Sequence, residues 1–224
     1  MLVVRRRWTI VAVACLVLPA AAWAGVKEVG LTPAPRPAAS CPSNCQAIGQ
    51  VTGFQVQQGT RHNPYRVSHD GKVVGFSLNL GKPSQEQQRF FTRLFGSPPE
   101  ARISVLKPGK LKRRARLTGQ SEVFDLEPYF GSRPTFALRR PLTVRKGYVI
   151  ALTVPTWIPA FAVGLGKDEA WRSSRDPTRC DDVQQAAAQE TRGSVRRYSC
   201  FYRTARLLYT AIVITTPKQT NPKK

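Results

Sequence analysis

The sequence predicts an all-β protein, an antiparallel β-sandwich with a jelly-roll-like layout and one short helix. Three observations carry this prediction. Apolar and polar residues alternate with a period of two in about ten short segments. Glycine, proline, asparagine and aspartate separate these segments, and only residues 85–94 show clear helical spacing. Many short strands with little helix are typical of two packed sheets.

The clearest strand predictions rest on three alternating segments. Their expected inward residues are Thr52, Phe54 and Val56; Val74, Phe76, Leu78 and Leu80; and Tyr148, Ile150, Leu152 and Val154. Weaker alternation predicts further strands at 65–68, 101–106, 112–117, 122–126, 135–139, 161–165, 195–203 and 206–215. We expect Phe76, Leu78, Ile150 and Leu152 to line the interior of the two sheets.

One segment has the pattern of a helix. Ser84 and Gln87 have the spacing of a capping box, which marks a helix start. Four apolar residues then recur at helical spacing: Phe90, Phe91, Leu94 and Phe95. We expect this helix to close one end of the core with its aromatic stripe. An immunoglobulin-like sandwich is the alternative fold, but the cysteines do not fit its inter-sheet bridge around a tryptophan.

Residues 1–24 have the pattern of a signal peptide. Arginines at positions 5–7 precede an apolar stretch, and Ala22-Trp23-Ala24 supplies the small-x-small pattern before a cleavage site. A retained anchor is the alternative, but the stretch is short for a span of about 20 residues and Pro19 interrupts it. We expect an exported protein, secreted or associated with the cell envelope, with no transmembrane segment after cleavage. The general secretory and twin-arginine routes both stay open.

The rest of the chain is interpreted as one domain between two irregular segments. Residues 25–40 hold three prolines among alanines and are expected to form a linker. Residues 41–216 are expected to form a single β-sandwich domain, because a mature chain of about 200 residues can bury one substantial core. The polar residues 217–224 are expected to be a disordered tail.

Four cysteines remain after cleavage: Cys41, Cys45, Cys180 and Cys200. An even number in an exported chain indicates disulfides, and four cysteines allow three pairings. We favour Cys41–Cys45 with Cys180–Cys200, because each pair encloses a local segment. A zinc site is the alternative, but the cysteine spacing is irregular for zinc and an oxidising compartment disfavours free thiolates.

The net charge indicates an anionic partner. The whole chain carries +22, and removal of the three signal-peptide arginines leaves 32 basic and 13 acidic residues, a net of +19. A field of this size favours cell-wall polymers, lipid headgroups, acidic polysaccharides or extracellular nucleic acid. An arginine-rich coding bias together with selection for solubility is the alternative explanation.

The layout also resembles a known kind of protein. The runs GQVTGFQV at 49–56, DGKVVGFSL at 70–78, GYVIALTVP at 147–155 and CFYRTARLLY at 200–209 carry the likeness. With the signal peptide, linker and cysteine pair, they resemble uncharacterised secreted β-sandwich proteins of high-GC Gram-positive bacteria. The resemblance implies a sandwich of the kind found in carbohydrate-binding modules. It implies no particular activity and transfers no functional residues.

Groups suited to catalysis are few. His69 lies beside Ser68 and Asp70, but sequence neighbours along a strand or turn point in different directions and do not form a triad. Asp125 and Glu127 are two residues apart at a strand end, so both carboxyl groups could face one way, as in a retaining glycosidase. Pro128 instead favours a solvated turn there. No nucleotide-binding glycine loop is present, and we expect no cofactor and no metal.

The basic residues are better organised. Residues 102–116 hold seven arginines and lysines and no acid. Two further acid-free groups are Arg133, Arg139, Arg140, Arg145 and Lys146, and Arg192, Arg196, Arg197, Arg203 and Arg206. If their strands are neighbours in one sheet, their outer faces would merge into a positive surface that holds phosphates or carboxylates. Trp171 is expected to be exposed and able to stack on sugars, whereas Trp157 is expected to close the core.

The sequence therefore predicts a non-enzymatic binding module for an anionic extracellular or envelope polymer, such as a polysaccharide or teichoic acid, and not for intracellular nucleic acid. The expected ligand-binding residues are Arg114, Arg116, Arg139, Arg196 and Trp171. One alternative is a cell-envelope hydrolase that uses Asp125 and Glu127. Another is a structural or protein-interaction domain whose charge is incidental.

Overall fold

The computed structural model describes residues 25–32 and 36–216. These residues form fifteen strands, one α-helix and one 3₁₀ turn at Glu127–Tyr129. The elements are β1 (Val26–Val29), β2 (Ile48–Gln58), β3 (Arg61–His62), β4 (Gly71–Leu78), α1 (Gln85–Phe95), β5 (Glu100–Pro108), β6 (Arg114–Gln120), β7 (Phe124–Asp125), β8 (Thr135–Val144), β9 (Val149–Ile158), β10 (Phe161–Val163), β11 (Glu169–Ser173), β12 (Val195–Arg197), β13 (Cys200–Arg203), β14 (Ala205–Leu207) and β15 (Tyr209–Thr215).

Two antiparallel sheets pack into a sandwich, and β10 and β14 pair in a third, two-stranded sheet. The small sheet has the strand order β1-β15-β4-β8, and the large sheet has the order β12-β6-β5-β9-β2-β11-β13, with β3 beside β2 and β7 beside β5. The chain alternates between the sheets, as in a jelly roll, since β2, β5 and β9 lie in the large sheet and β4, β8 and β15 in the small one. The predicted all-β sandwich with one short helix is confirmed.

One continuous apolar core lies between the sheets. Phe76 and Leu78 of the small sheet and Ile150 and Leu152 of the large sheet belong to it and are fully or almost fully buried. The predicted alternation therefore identified these inward side chains of β4 and β9. It was wrong by one residue in β2, where Val51 belongs to the core and Thr52 contacts Gln189 on the opposite face of the sheet. In β4 the pattern shifts at a bulge between Val73 and Gly75, so that Val73 is buried where Val74 was expected.

The large sheet curls until its two end strands are close together. β12 and β13 are the outermost strands of the sheet, yet only Tyr198 and Ser199 separate them in the chain. Three peptide steps from Arg197 to Cys200 span at most about 11 Å. The Tyr198 N–H donates to the Arg113 carbonyl at 2.7 Å. Arg172 of β11 donates to the Tyr198 carbonyl at 3.3 Å. These two bonds connect the short link to the strands next to each edge of the sheet, β6 and β11.

A chain segment, residues 185–189 (the strap), lies on the face of the large sheet that points away from the core. The Gln189 N–H donates to Thr52 Oγ1 at 2.9 Å, and Ser174 Oγ donates to the Ala187 carbonyl at 2.6 Å. The Tyr198 hydroxyl donates to Gln189 Oε1 at 2.5 Å. The strap thus fills the curl, and its buried polar groups are paired with those of the sheet.

The helix closes one end of the sandwich, as predicted. Ser84 caps it, since its Oγ accepts from the Gln87 N–H at 3.2 Å and Gln87 Oε1 accepts from the Ser84 N–H at 2.8 Å. Phe91 and Phe95 pack with the fully buried Trp157 in a second apolar cluster. This burial confirms that Trp157 closes the core.

Both predicted disulfides are present, Cys41–Cys45 and Cys180–Cys200. The second bridge ties the segment before the strap to β13. No helix within the described ranges has the length and apolar character needed to cross a membrane.

The predicted linker at residues 25–40 is wrong at its start, because Val26–Val29 forms β1. This strand pairs with β15 along its whole length, from Val26 opposite Ile214 to Val29 opposite Ala211. It covers what would otherwise be the exposed edge of the small sheet. The signal peptide predicted at residues 1–24 and the tail predicted at 217–224 lie outside the described residues.

Replacing Phe76 by alanine is expected to lower the free energy of unfolding by about 3–5 kcal/mol, because a fully buried phenylalanine leaves a cavity between the sheets. The matched control is Phe90→Ala, since Phe90 is 47% exposed on the helix and its loss should cost about 0.5 kcal/mol or less. Urea unfolding of both variants measures the difference. Equal costs would contradict the assigned core.

Candidate functional site

Two of the three basic stretches meet at one edge of the large sheet. β12 pairs antiparallel with β6, and the register places Arg197 opposite Arg114 and Arg196 opposite Ala115. All three arginines are exposed. Arginines about eighty positions apart in sequence thus lie on a single strand pair. The curl of the sheet turns this edge towards the segment that follows β11.

That segment completes a cleft of about 680 Å³. Arg175, Asp176 and Arg179 line it, together with Gln184 and Gln185, the first residue of the strap. Arg114, Arg196 and Arg197 of the β6–β12 pair complete the lining. We call this the arginine cleft. Five arginines and two aspartates line it, so the cleft carries a net positive charge.

The two aspartates are already engaged. Asp182 lies 3.6 Å from Arg179 in an ion pair. Asp176 accepts from the Thr178 N–H at 2.9 Å and the Thr178 hydroxyl at 2.7 Å, and these bonds hold the pKa of its carboxyl below the usual range. Within the described residues, neither Arg114 nor Arg197 has a carboxylate within 4 Å. Their donors are therefore open to an external anion.

Arg175 differs from the other arginines because it is only 5% exposed. Its Nη1 donates to the Tyr202 hydroxyl at 3.2 Å, and its guanidinium carbon lies 5.7 Å from the centre of the Tyr202 ring. The buried Nε has no hydrogen-bond partner, and no acidic side chain of the described chain lies within 4 Å. A buried cation without an anionic partner is costly, and such a group is an expected feature of an anion site.

Sequence reasoning identified Arg114 and Arg196 but missed Arg175 and Arg179. A usable signal was present in the predicted disulfide. Arg179 immediately precedes Cys180, and Arg196 and Arg197 shortly precede Cys200. Bridging the two cysteines necessarily brings these arginines into one neighbourhood.

Two other predicted residues lie apart from the cleft. Arg116 is on β6, where its Nη1 donates to the Gly193 carbonyl at 2.6 Å, and it does not line the cleft. Arg139 belongs to β8, in the small sheet, where its N–H donates to Glu122 Oε1 at 2.8 Å. The expectation that all three basic stretches merge in one sheet is therefore wrong for the stretch around Arg139.

The expected exposure of Trp171 is also wrong, because this side chain is only 3% exposed. The segment Glu169–Ser173 is a strand between β2 and β13, not the end of an acidic turn, and alternation turns Trp171 towards the core. Its ring stacks on Tyr202 at 4.5 Å and meets Phe161 edge-on at 5.8 Å. Gly53 makes room for it, since a Cβ there would lie 2.9 Å from the indole.

The carboxylates considered for hydrolysis do not share a cleft. Asp125 Oδ1 accepts from the Glu127 N–H at 3.1 Å, so this carboxylate caps its own turn. Glu127 lines a depression of about 350 Å³ beside the helix, with Arg89 and Trp157, and Asp125 is not part of that lining. His69 and Ser68 contact each other at 2.8 Å, while Asp70 accepts from the Lys146 N–H instead.

Glu100, next to Asp125, gives a pH-dependent prediction. Burial, and then the Asp125 charge, raise the pKa of Glu100 above its ordinary 4.5. The folded state therefore binds the carboxyl proton of Glu100 more tightly than the unfolded state does. The stability that this proton adds is fully present below pH 4.5 and is lost as the pH rises through the folded-state pKa. Glu100→Gln should raise the melting temperature at pH 7 and have little effect at pH 3.5. Thermal melts of both proteins across this pH range test the prediction. A difference in melting temperature that is the same at every pH would contradict it.

The site is thus a polar cleft rich in hydrogen-bond donors. Arginines from two paired strands and one disulfide-bridged segment converge on a polar cleft. Within the described part of the chain, no group of three or more histidine, cysteine, aspartate or glutamate side chains is placed to hold a metal ion. In comparisons with known proteins, no family model, no curated protein and no solved structure matches this chain.

Proposed function

We propose that this protein is a secreted, non-enzymatic module that binds an anionic polymer of the cell envelope or extracellular space through the arginine cleft. The supporting observation is the pairing of β12 with β6, which sets Arg197 opposite Arg114. Neither arginine has an acidic partner among the described residues. Like charges placed directly opposite each other destabilise a strand pair, and a bound polyanion would relieve that repulsion.

The shape of the cleft supports a polymer over a small ion. It has room for several repeating units at about 680 Å³, within the usual 300–1,000 Å³ of ligand sites. Its positive groups come from two parts of the chain, Arg114 and Arg197 from the β6–β12 pair and Arg175 and Arg179 from the segment after β11. An extended chain with regularly spaced carboxylates or phosphates could contact both groups of arginines at once, and each charge-assisted hydrogen bond adds to affinity.

Export is proposed on independent grounds. The pattern of residues 1–24 is that of a signal peptide, and both cysteine pairs are bridged. Disulfides persist in oxidising compartments and are rare in the cytosol. An envelope or extracellular polymer is therefore the anionic partner such a protein would meet.

The double variant Arg114→Gln/Arg197→Gln should bind immobilised polygalacturonate or lipoteichoic acid at least about tenfold more weakly, because each hydrogen bond to a charged group contributes roughly 1.5–3 kcal/mol. The matched control is Arg139→Gln/Arg140→Gln, which removes the same charge from exposed positions on the small sheet. Retention is measured at about 50 and 500 mM salt, since screening weakens exposed electrostatic contacts.

Two outcomes would overturn this proposal. Equal losses for both double variants would show that net charge alone, and not the cleft, carries the binding. Retention that does not fall with salt, or no retention on either polymer, would remove the anionic partner.

A further inference from the structure

A second cleft, of about 470 Å³, shares Arg175 with the arginine cleft. Phe161, Trp171 and Tyr202 form an aromatic wall in which Tyr202 is half-buried and the other two rings are buried, and we call this the aromatic cleft. Val183 also lines this cleft and is 47% exposed. The buried Arg175 is therefore common to the linings of both clefts.

The lining of the aromatic cleft combines three kinds of chemistry. Apolar surface comes from the aromatic wall and from Val183, and uncharged hydrogen-bonding groups come from Asn44, Gln46 and Thr204. Positive charge comes from Arg175 and Arg203. The single acidic residue of this lining, Asp181, leaves the cleft with a net positive charge.

The wall of the cleft is fixed before any ligand binds. The Tyr202 hydroxyl donates to the Cys180 carbonyl at 2.5 Å, and Cys180 is bridged to Cys200. Arg175 donates in turn to the same Tyr202 hydroxyl. The guanidinium is therefore held in place by its ring partner, and a preorganised donor loses little entropy when it binds an anion.

We infer that the aromatic cleft binds one acidic sugar residue, a sugar ring that carries a carboxylate, and that Arg175 is the residue that receives this carboxylate. This inference rests on the proposed binding of an anionic polymer and names its chemistry as an acidic polysaccharide. A sugar acid presents C–H surface, hydroxyl groups and a carboxylate within one small body. These three features match the apolar, uncharged polar and cationic parts of the lining.

Other anions match the lining less well. Inorganic sulfate or a glycerol-phosphate chain would satisfy Arg175 but leave the aromatic wall without an apolar partner. A hydrocarbon carboxylate would cover that wall but leave Asn44 and Gln46 without hydrogen-bond partners, which costs affinity. The guanidinium fork also matches the planar carboxylate in a bidentate arrangement.

The wild-type protein provides the first test, through the indole N–H signals in a ¹H–¹⁵N NMR titration. Trigalacturonate should shift the signal of Trp171 and the Nε–H signal of Arg175 until saturation. Trp157 is the internal control, because it is buried in the separate cluster beside the helix and should not shift. A neutral galactose trisaccharide, sodium sulfate and a glycerol-phosphate oligomer at matched concentration should produce no saturable shift at Trp171.

Failure of the inference is distinct from failure of the proposed function. If trigalacturonate leaves Trp171 and Arg175 unshifted, or if any of the comparison ligands shifts them equally, the acidic-sugar assignment is overturned. The proposed function would still hold if polymer retention falls with salt and Arg114→Gln/Arg197→Gln weakens it. That result would show binding of a polyanion by the arginine cleft. If trigalacturonate binds but no polymer is retained, the proposed function fails and the aromatic cleft is a site for free sugar acids.

Variants then test the role of Arg175 itself. Arg175→Gln should weaken trigalacturonate binding at least about tenfold, and Arg175→Lys should recover part of it, because a lysine keeps the charge but not the fork. Arg116→Gln, at an exposed position outside both clefts, is the control. The unshifted Trp157 signal reports whether each variant is folded, and wild-type affinity in a folded Arg175→Gln protein would overturn the assignment.

Discussion

The structure depends on the two-residue connection between β12 and β13. Because Tyr198 and Ser199 alone link strands at opposite ends of the large sheet, that sheet cannot stay open. The curl encloses the strap and turns the edge strand β12 towards Arg175 and Arg179. The Cys180–Cys200 bridge holds the segment before the strap to the start of β13, so the same region is closed covalently as well. Both clefts exist because these parts are held together.

The enclosed face of the large sheet is polar, and hydrogen bonds make its burial tolerable. Thr52, Thr153 and Ser104 form a chain of hydroxyl contacts at 2.9 and 2.6 Å. Tyr198 lies over this face with its hydroxyl on Gln189, and burial raises the pKa of that hydroxyl above its ordinary value of 10. Leaving one of these buried polar groups unpaired would cost about 1–3 kcal/mol according to protein mutational data. Measured as transfer from water to a purely apolar solvent, the cost is several kcal/mol. The sheet therefore has one side that packs by apolar contact and another that holds the strap by specific pairing.

Local sequence patterns predicted the parts of the fold that local chemistry determines. Alternation marked Phe76 and Ile150 as inward, the Ser84 cap marked the helix start, and the cysteine spacing favoured the observed pairs. Strand pairing depends on residues far apart in the chain, and no periodicity reports it. For this reason Arg139 and Arg114 were expected in one sheet but lie in two. Trp171 was misplaced because β11 is short and its acidic start resembles a turn.

The arrangement of charge is the feature that links this fold to binding. Arginines are concentrated where the β6–β12 edge of the curled sheet meets the segment after β11, and one buried arginine is common to a polar cleft and an aromatic one. Arginine modification by phenylglyoxal, mapped by mass spectrometry with and without polygalacturonate, tests this arrangement most directly. The account predicts that the polymer protects Arg114 and Arg197 and leaves Arg139 and Arg140 reactive. Uniform protection of all four arginines, or protection confined to β8, would contradict it.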